Sequence, residues 1–230
     1  MIVLAISDIQ APFFHPDMYE FLKMVTDSYK PDQVIQMGDL VDKHALSRYP
    51  RDPDGLSAGQ ELDKAVESLQ PLMRMYPNMK VVIGNHDRRG FDRAFEAGIP
   101  KRLLVKGYKE MLDAPVGWDF REHFIIEGVR YEHGDRLNGG AKSVTQRAPI
   151  DRGRSTVFGH FHSSAGVHYT SNPDKLLFGL NTGCLIDPHA YVFNYARFRP
   201  ILGCGIILDG VTADFVPMLL NKKGRWVGRI

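Results

Sequence analysis

The sequence predicts an α/β protein that has a parallel sheet in its first half and a strand-rich second half. Three apolar segments, residues 2–7, 33–37 and 79–83, alternate with two amphipathic segments, which gives the order β-α-β-α-β. This alternation is typical of a parallel sheet with right-handed crossover connections. Later in the chain, short β-rich runs are separated by Gly- or Asn-containing turns. No linker divides the two halves, so we expect one domain over residues 1–230.

The first half contains helices whose apolar residues recur at helical spacing. Residues 2–7 are apolar on both faces, which indicates a strand buried on both sides. A helix is predicted over residues 17–29, with Asp17 as its N-cap. A longer helix is predicted over residues 57–76, and one face of it is apolar. That face consists of Leu62, Ala65, Val66, Leu69, Leu72 and Met73.

The second half contains seven predicted strands. They cover residues 124–126, 129–132, 156–158, 166–170, 176–180, 203–208 and 211–217. The dipeptides Glu127-Gly128 and Asp209-Gly210 are typical of hairpin turns between neighbouring strands. The second half therefore adds β-structure to the first sheet or forms a sheet of its own.

The composition is that of a globular protein, with 43% hydrophobic and 24% charged residues. No apolar run has the length needed to cross a bilayer, so we expect no membrane association. The short apolar N-terminus runs directly into Ser7 and Asp8, which is typical of a buried strand and not of a signal peptide. Two cysteines, Cys184 and Cys204, form no disulfide framework, so we expect buried thiols and a cytoplasmic protein.

Positive charge is concentrated in one segment, although the net charge of the chain is only +2. Residues 88–109 contain seven Lys or Arg residues and two acidic residues. Such a segment is either a footprint for phosphate or nucleic acid or a solvated helical face. We predict that residues 88–120 form a small basic helical rim or cap within the single domain.

Polar residues follow five of the predicted strands, at the points where those strands end. The five groups are Asp8-Ile9-Gln10, Gly38-Asp39-Leu40-Val41-Asp42, Gly84-Asn85-His86-Asp87, His133-Gly134 and Gly159-His160-Phe161-His162. In α/β sheets, ligands bind beyond the carboxyl ends of the strands. Each group alone could be structural, but five groups at five strand ends predict one site. Carboxylate, amide and imidazole ligands together suit divalent metal ions.

In order and spacing, these motifs resemble the calcineurin-like metallophosphoesterases. That family has D-x-H, G-D-x-x-D, G-N-H-D/E, a later His and G-H-x-H, and the matching motifs here span residues 8–162. Residues 45–49 and 181–185 further resemble compact members from phages and prophages. The resemblance implies a four-layer α/β/β/α sandwich, in which two mixed β-sheets are flanked by helices. It also implies a hydrolase of phosphoesters that acts in the cytoplasm, including a host cytoplasm if a phage encodes it.

The resemblance implies two divalent ions and assigns a role to each motif residue. The first ion would be bound by Asp8, Gln10, Asp39 and His162. Asp39 would bridge to the second ion, whose other ligands would be Asn85, His133 and His160.

Four further residues are expected to act on the substrate. His86 would bind no metal and would instead protonate the leaving oxygen, with Asp87 orienting it. Arg88 opens the basic segment that directly follows, so we expect it to bind substrate. His44 is a second candidate for substrate binding, although an ordinary rim histidine is an equal alternative.

Gln10 departs from the family pattern, because many members have His at this position. Gln offers a neutral amide oxygen or no ligand at all, which weakens a zinc-like site and favours harder ions. We therefore expect Mn²⁺, with Mg²⁺, Fe²⁺, Ni²⁺ and Zn²⁺ as alternatives. One tightly bound and one loosely bound ion also remain an open alternative. Since every other ligand position is intact, we expect an active enzyme.

The motifs indicate the reaction type more clearly than the substrate. In the family that the chain resembles, an Asp at the end of the third motif is commoner in phosphodiesterases and nucleases. With the basic segments, this favours a phosphodiesterase or nuclease acting on DNA, RNA or nucleotides, by attack of metal-activated hydroxide. The alternatives are a phosphomonoesterase for phosphoproteins or small metabolites, and a metal-binding scaffold that docks a partner. Residues 191–200 are aromatic and basic and would form a lid or an oligomer contact. The sequence leaves the oligomeric state open.

Overall fold

The computed structural model describes residues 1–49, 52–171, 173–190 and 199–230. Most of the predicted lid, residues 191–198, lies outside the described residues. The helices are α1 (Met18–Tyr29), α2 (Ala58–Met75), α3 (Asn85–Glu96), α4 (Tyr108–Met111) and α5 (Val144–Arg152), with 3₁₀ turns at His44–Leu46 and Lys101–Leu103. The strands are β1 (Ile2–Ile6), β2 (Gln33–Gln36), β3 (Asn78–Val82), β4 (Gly117–Arg121), β5 (His123–Ile126), β6 (Val129–Glu132), β7 (Thr156–Phe158), β8 (Gly166–Ser171), β9 (Leu176–Asn181), β10 (Gly203–Leu208) and β11 (Thr212–Pro217).

Two mixed sheets form the centre of the fold. The first has six strands in the order β11-β10-β1-β2-β3-β4, and the second has five in the order β5-β6-β7-β9-β8. Strands β1, β2, β3 and β4 are mutually parallel, whereas β10 pairs antiparallel with β1. In the second sheet, β6, β7 and β9 are parallel and the two edge strands are antiparallel. Five of these parallel strands, β1, β2, β3, β6 and β7, precede the polar motifs.

Strand β1 is buried on both faces, as its continuous apolar run predicts. Leu4 and Ile6 belong to the apolar cluster that contains residues of α1 and α2. Val3 and Ala5 face the other way, into the cluster that joins the two sheets. The second sheet is covered in turn by α5, whose Val144 packs in a third cluster. The predicted four-layer α/β/β/α arrangement is therefore confirmed.

Two elements were not predicted from the sequence. Helix α5 contains Pro149 and has no continuous apolar face, although Val144, Ala148 and Pro149 are buried. Strand β4 ends the basic segment 88–120 and pairs in parallel with β3, so that this segment is not helical throughout. A strand of five residues with a single fully buried side chain, Trp118, gives little periodicity to detect. Within the described residues, no helix has both the length and the apolar character that a bilayer crossing requires.

Asp17 precedes α1, but its carboxylate is not the predicted helix cap. It instead accepts hydrogen bonds from Arg225 Nε at 3.0 and 2.8 Å and from the backbone N–H of Trp226 at 2.9 Å. The Trp226 ring packs edge-on against Phe21 of α1, at 5.7 Å between ring centroids. Asp17 therefore anchors the C-terminal segment of the chain onto α1.

We expect Asp17→Asn to lower the free energy of unfolding at neutral pH by about 1 kcal/mol, because charge-assisted hydrogen bonds are lost. The bonds from Arg225 lower the pKa of Asp17 from 3.8 to about 2. A lowered pKa stabilises the protein above the unfolded value, and this contribution is lost as pH falls from about 4 towards 2. Urea unfolding of both proteins between pH 7 and pH 3 should show the difference shrinking below pH 4. Asp27→Asn, in an exposed pair with Lys23, is the control and should cost less at every pH.

Candidate metal centre

The carboxyl ends of five strands meet at one edge of the two-sheet core, and their loops carry the predicted ligands. Asp8 and Gln10 follow β1, and Asp39 follows β2. Asn85 is the first residue of α3, directly after β3. The remaining three are His133 after β6 and His160 and His162 after β7. Hydrogen bonds between the loops, such as Gln10 N–H to Asp39 O at 2.9 Å, hold the strand ends together.

One group of donor atoms converges on the buried imidazole of His133. Its Nε2 lies 3.2 Å from Asp39 Oδ2, 3.0 Å from Asn85 Oδ1 and 3.3 Å from His160 Nδ1. Ligand atoms of Asp39, His133 and His160 all lie within 4.8 Å of one another, which is the spacing of a metal site. The structure thus brings together the four residues predicted to bind the second ion.

The ring of His133 is oriented by a contact with a backbone carbonyl group. Its Nδ1 lies 3.0 Å from the carbonyl oxygen of Met37, and a proton on Nδ1 leaves the Nε2 lone pair facing the other ligands. Burial disfavours a charged imidazole, but the carboxylates of Asp39, Asp8 and Asp135 together outweigh burial and raise the pKa of His133 to about 10. The cluster therefore favours positive charge at the point where these ligand atoms meet, and a divalent cation would supply that charge.

A second group of atoms surrounds Asp8. Asp8 Oδ1 lies 2.8 Å from His162 Nε2, while Oδ2 accepts hydrogen bonds from the backbone N–H of His160, at 2.8 Å, and from the Ser7 hydroxyl. Gln10 is only 1% exposed, and neither atom of its side-chain amide has a hydrogen-bond partner among the described residues. Burying an amide without partners is costly. A cation bound by Gln10 Oε1 beside Asp8 would remove part of that cost, so the residues present fit a metal ion here as well.

Four predicted ligands have left-handed backbone conformations. The φ angles are 48° at Asp8, 49° at Gln10, 54° at Asp39 and 68° at His160. Such angles are uncommon outside glycine and store strain of the order of 1 kcal/mol each. The loops therefore hold strained conformations at the positions that aim these side chains into one site.

His86 lies beside the cluster and contacts it through its backbone and its ring. Its N–H donates to Asp39 Oδ1 at 2.8 Å, and its Nδ1 lies 2.7 Å from Asp42 Oδ1. Its Nε2 lies 2.7 Å from the guanidinium of Arg89 and 3.7 Å from Asp39 Oδ2. Burial opposes protonation of the ring, but the carboxylates of Asp39 and Asp42 outweigh burial and raise the pKa of His86. His86 is therefore held at the edge of the ligand cluster with its Nε2 directed towards it.

Among the described residues, Asp87 makes no hydrogen bond to the His86 ring. Its carboxylate instead connects the loops that follow β2 and β3. Its carboxylate accepts the backbone N–H groups of Asp39 at 2.9 Å, Val41 at 3.2 Å and Gly84 at 2.8 Å. The orienting contact that the sequence analysis assigned to Asp87 is made by Asp42. The last position of G-D-x-x-D was the signal, since a loop that turns after Asp39 returns Asp42 to the same site.

The two predicted substrate-binding residues lie on different elements, Arg88 on α3 and His44 on the first 3₁₀ turn. The Arg88 guanidinium pairs with Asp135 at 2.5 Å and donates to Ile83 O at 3.3 Å. His44 begins the 3₁₀ turn and lines a cleft of about 1110 Å³ beside the start of α2. The guanidinium that faces His86 is that of Arg89. Residues three apart on a helix share a face, so the spacing from His86 to Arg89 is the signal in the sequence that would have identified Arg89.

Asn181 stabilises the loop that follows β7. It is fully buried at the end of β9, and its Nδ2 donates to Phe161 O at 3.1 Å and Ser164 O at 2.6 Å. These carbonyls belong to the loop that carries His160 and His162. Asn181 therefore fixes the backbone of two predicted ligands without being one.

Gly84 is required by the close approach of two strand-end loops. A Cβ at this position would overlap both the carboxylate and the backbone nitrogen of Asp39. We expect Gly84→Ala to destabilise the protein by about 1–3 kcal/mol, as overpacking does, and to reduce metal binding. Gly59→Ala is the matched control, since a Cβ on Gly59 in α2 would meet open space. That substitution should leave metal binding unchanged and raise stability slightly. Equal effects of the two substitutions in urea unfolding and metal titration would contradict this account of Gly84.

Comparison with known proteins identifies the family to which the chain belongs. The family model described as calcineurin-like phosphoesterase matches residues 1–179. The Gene 54 protein of Mycobacterium phage L5 is 28% identical over 206 residues, which are 80% of this chain and 79% of that protein. The Gene 54 protein of Mycobacterium phage D29 is 26% identical over 205 residues, with the same two coverages of 80% and 79%.

A solved structure shows the same fold at low sequence identity. Vps29 from Chaetomium thermophilum aligns with a TM-score of 0.51 at 12% identity, over 98% of this chain and 94% of that one. This likeness concerns the fold alone. The family match, by contrast, spans every strand end that carries a predicted ligand. The chain therefore belongs to the calcineurin-like phosphoesterases, a family of phosphoester hydrolases that bind divalent metal ions.

Proposed function

We propose that this protein is a phosphodiesterase with two divalent metal ions, and that its substrate is a nucleic acid or a nucleotide. The observation that carries the proposal is an open cleft that begins at the predicted ligand Asn85 and is lined by three arginines and two acidic residues. Arg89 and Arg93 line this cleft, whose volume is about 270 Å³. A diester has a second ester group that must lie beyond the reacting phosphate, and the cleft provides room for it.

Two groups of side chains would hold the ions. The first ion would be bound by Asp8, Gln10, Asp39 and His162, and the second by Asp39, Asn85, His133 and His160. When bound, the two ions would lower the pKa of a water and neutralise charge on the phosphate. Mn²⁺ is the ion we favour, because Gln10 supplies an amide oxygen where a softer site would have imidazole.

The residues around the ions would bind and protonate the substrate. The phosphate would lie near the start of α3, a twelve-residue helix whose N-terminal partial charge favours anions. His86 would give its Nε2 proton to the leaving alkoxide as water adds to phosphorus and the P–O bond breaks. Asp42 would keep the ring in the orientation in which Nε2 faces the phosphate, through the 2.7 Å contact with Nδ1.

The chemistry of the cleft supports a nucleotide-like second ester group. Tyr49 is 79% exposed on the cleft wall, where a base could stack on its ring. Arg93 lines the same cleft, and its guanidinium also donates to Ser47 O at 2.9 Å and pairs with Glu96. The same wall continues into the cleft of about 1110 Å³ that His44 lines, which gives space for more than one nucleotide.

The test is hydrolysis of bis-p-nitrophenyl phosphate and of p-nitrophenyl phosphate by metal-stripped protein to which Mn²⁺ is returned. We expect kcat/KM for the diester to exceed that for the monoester by about tenfold or more, and DNA, RNA or cyclic nucleotides to be cleaved next. A preference for the monoester would replace this proposal with a phosphatase activity. No hydrolysis with any of several divalent metals would favour the scaffold alternative.

A further inference from the structure

The guanidinium of Arg89 contacts the ring of His86, and this contact has no role in the mechanism proposed so far. One guanidinium nitrogen lies 2.7 Å from Nε2 of His86, and the other donates to Asp42 O at 2.8 Å. The side chain is about one-fifth exposed and reaches back along α3 over one helical turn. Its guanidinium therefore covers the atom of His86 that would act on the leaving group.

The contact occupies the Nε2 side of the His86 ring. A guanidinium has hydrogen-bond donors and no acceptor, so a leaving oxygen cannot reach Nε2 while Arg89 faces it. The other nitrogen, Nδ1, faces the Asp42 carboxylate at 2.7 Å. With Nδ1 committed to Asp42, His86 can protonate a leaving oxygen only through Nε2. That requires Arg89 to move away first.

Neighbouring cations are engaged elsewhere, which singles out Arg89. Lys43 Nζ donates to the carbonyl oxygen of Asp87 at 2.5 Å, and Arg88 is paired with Asp135. Arg89 also lines the cleft that begins at Asn85, so its guanidinium has open space to move into on the side from which substrate would enter. Guanidinium binds phosphate oxygens through paired hydrogen bonds, which are stronger than a bond to neutral imidazole.

We propose that Arg89 is the phosphate-binding residue of this site and that it covers Nε2 of His86 until a phosphoester arrives. Entry of the phosphate draws the guanidinium from the imidazole onto the phosphate oxygens, and Nε2 becomes accessible to the leaving oxygen. Binding of substrate and readiness of the general acid are thereby coupled through one side chain. This inference rests on the proposed phosphoester hydrolysis at the metal centre.

The test compares Arg89→Ala and Arg89→Lys with Arg74→Ala, an exposed arginine in the last turn of α2. In metal-loaded protein, the dissociation constant for inorganic phosphate is measured by calorimetry, together with kcat and KM for bis-p-nitrophenyl phosphate. We expect Arg89→Ala to raise both the dissociation constant and KM by about 10–100-fold while kcat falls much less. Arg89→Lys should recover part of the loss because it keeps the charge without the paired donors, and Arg74→Ala should match the wild type.

A second readout follows the imidazole directly. With Mg²⁺ as a diamagnetic ion, nitrogen-15 spectra of His86 should change at Nε2 when phosphate is added to the wild type. The changed state should already be present in Arg89→Ala without phosphate. A phosphate dissociation constant within twofold of wild type in Arg89→Ala would overturn the proposal, as would a loss confined to kcat. Wild-type protein that binds phosphate through Arg89 but hydrolyses no ester would instead contradict the proposed function and leave the phosphate site in place.

Discussion

Asp39→Asn is expected to lose both metal binding and activity, by more than about 100-fold in each. One oxygen of Asp39 accepts the His86 N–H at 2.8 Å, and the other lies 3.2 Å from His133 Nε2. Asn keeps the size of the side chain and tolerates the left-handed φ of 54°. The substitution therefore removes a charge from the place where both ligand groups meet while it preserves their geometry. Metal analysis of Mn²⁺-reconstituted protein, with kcat/KM on the preferred ester, measures both losses.

Asp63→Asn is the matched control for this change. Asp63 lies exposed on α2, and loss of its charge should leave metal content and activity unchanged. The thermal midpoint should rise on addition of Mn²⁺ in the wild type and in Asp63→Asn, since a ligand that binds only the folded state stabilises it. Asp39→Asn should show little rise. A fully metallated and active Asp39→Asn protein would contradict the whole assignment of the site.

His86→Ala is expected to lower kcat by about 10²–10⁴-fold while the metal content stays at the wild-type level. His86 lies beside the ligand cluster and its Nε2 is held by Arg89, so the imidazole is placed to act on substrate and not to bind an ion. The loss should be greater for esters with poor leaving groups, because these need a proton most. Asp42→Asn should show a smaller loss of the same kind, since it weakens the contact that orients the ring.

The control for the histidine variant is His123→Ala. His123 is exposed on β5, outside the ligand groups, and its replacement should change neither kcat nor metal content. Loss of both ions in His86→Ala would show that the imidazole is a ligand. An equal fall in kcat for good and poor leaving groups would show that it does not act as a general acid.

The sequence predicted the strands and helices well where burial imposes a clear period. β1 is apolar on both faces, and α2 begins after Ser57 with a capping box completed by Gln60, so both are evident in the sequence. Helix α5 is not evident in the sequence. Its buried face is short, consisting of Val144, Ala148 and Pro149, and a proline within a helix is atypical. The edge strand β4 depends on pairing with β3 and has few apolar residues of its own.

At the site, the sequence predicted which residues meet but not how each side chain is used. The seven predicted ligands all lie at the five strand ends, because parallel strands place their carboxyl ends on one edge. The choice between Asp42 and Asp87 depends on how a loop returns past His86, which motif spacing does not specify. The choice between Arg88 and Arg89 depends on the rotation of α3. Adjacent residues on a helix point about 100° apart, so one of two neighbouring arginines turns to Asp135 and the other to His86.

The most direct measurement is a crystal structure of the Mn²⁺-loaded protein with anomalous scattering from manganese. We predict two anomalous peaks. One should lie within bonding distance of Asp39, Asn85, His133 and His160, and the other should contact Asp8, Gln10, Asp39 and His162. A single peak away from His133, or two peaks that Asp39 does not join, would contradict the proposed metal centre.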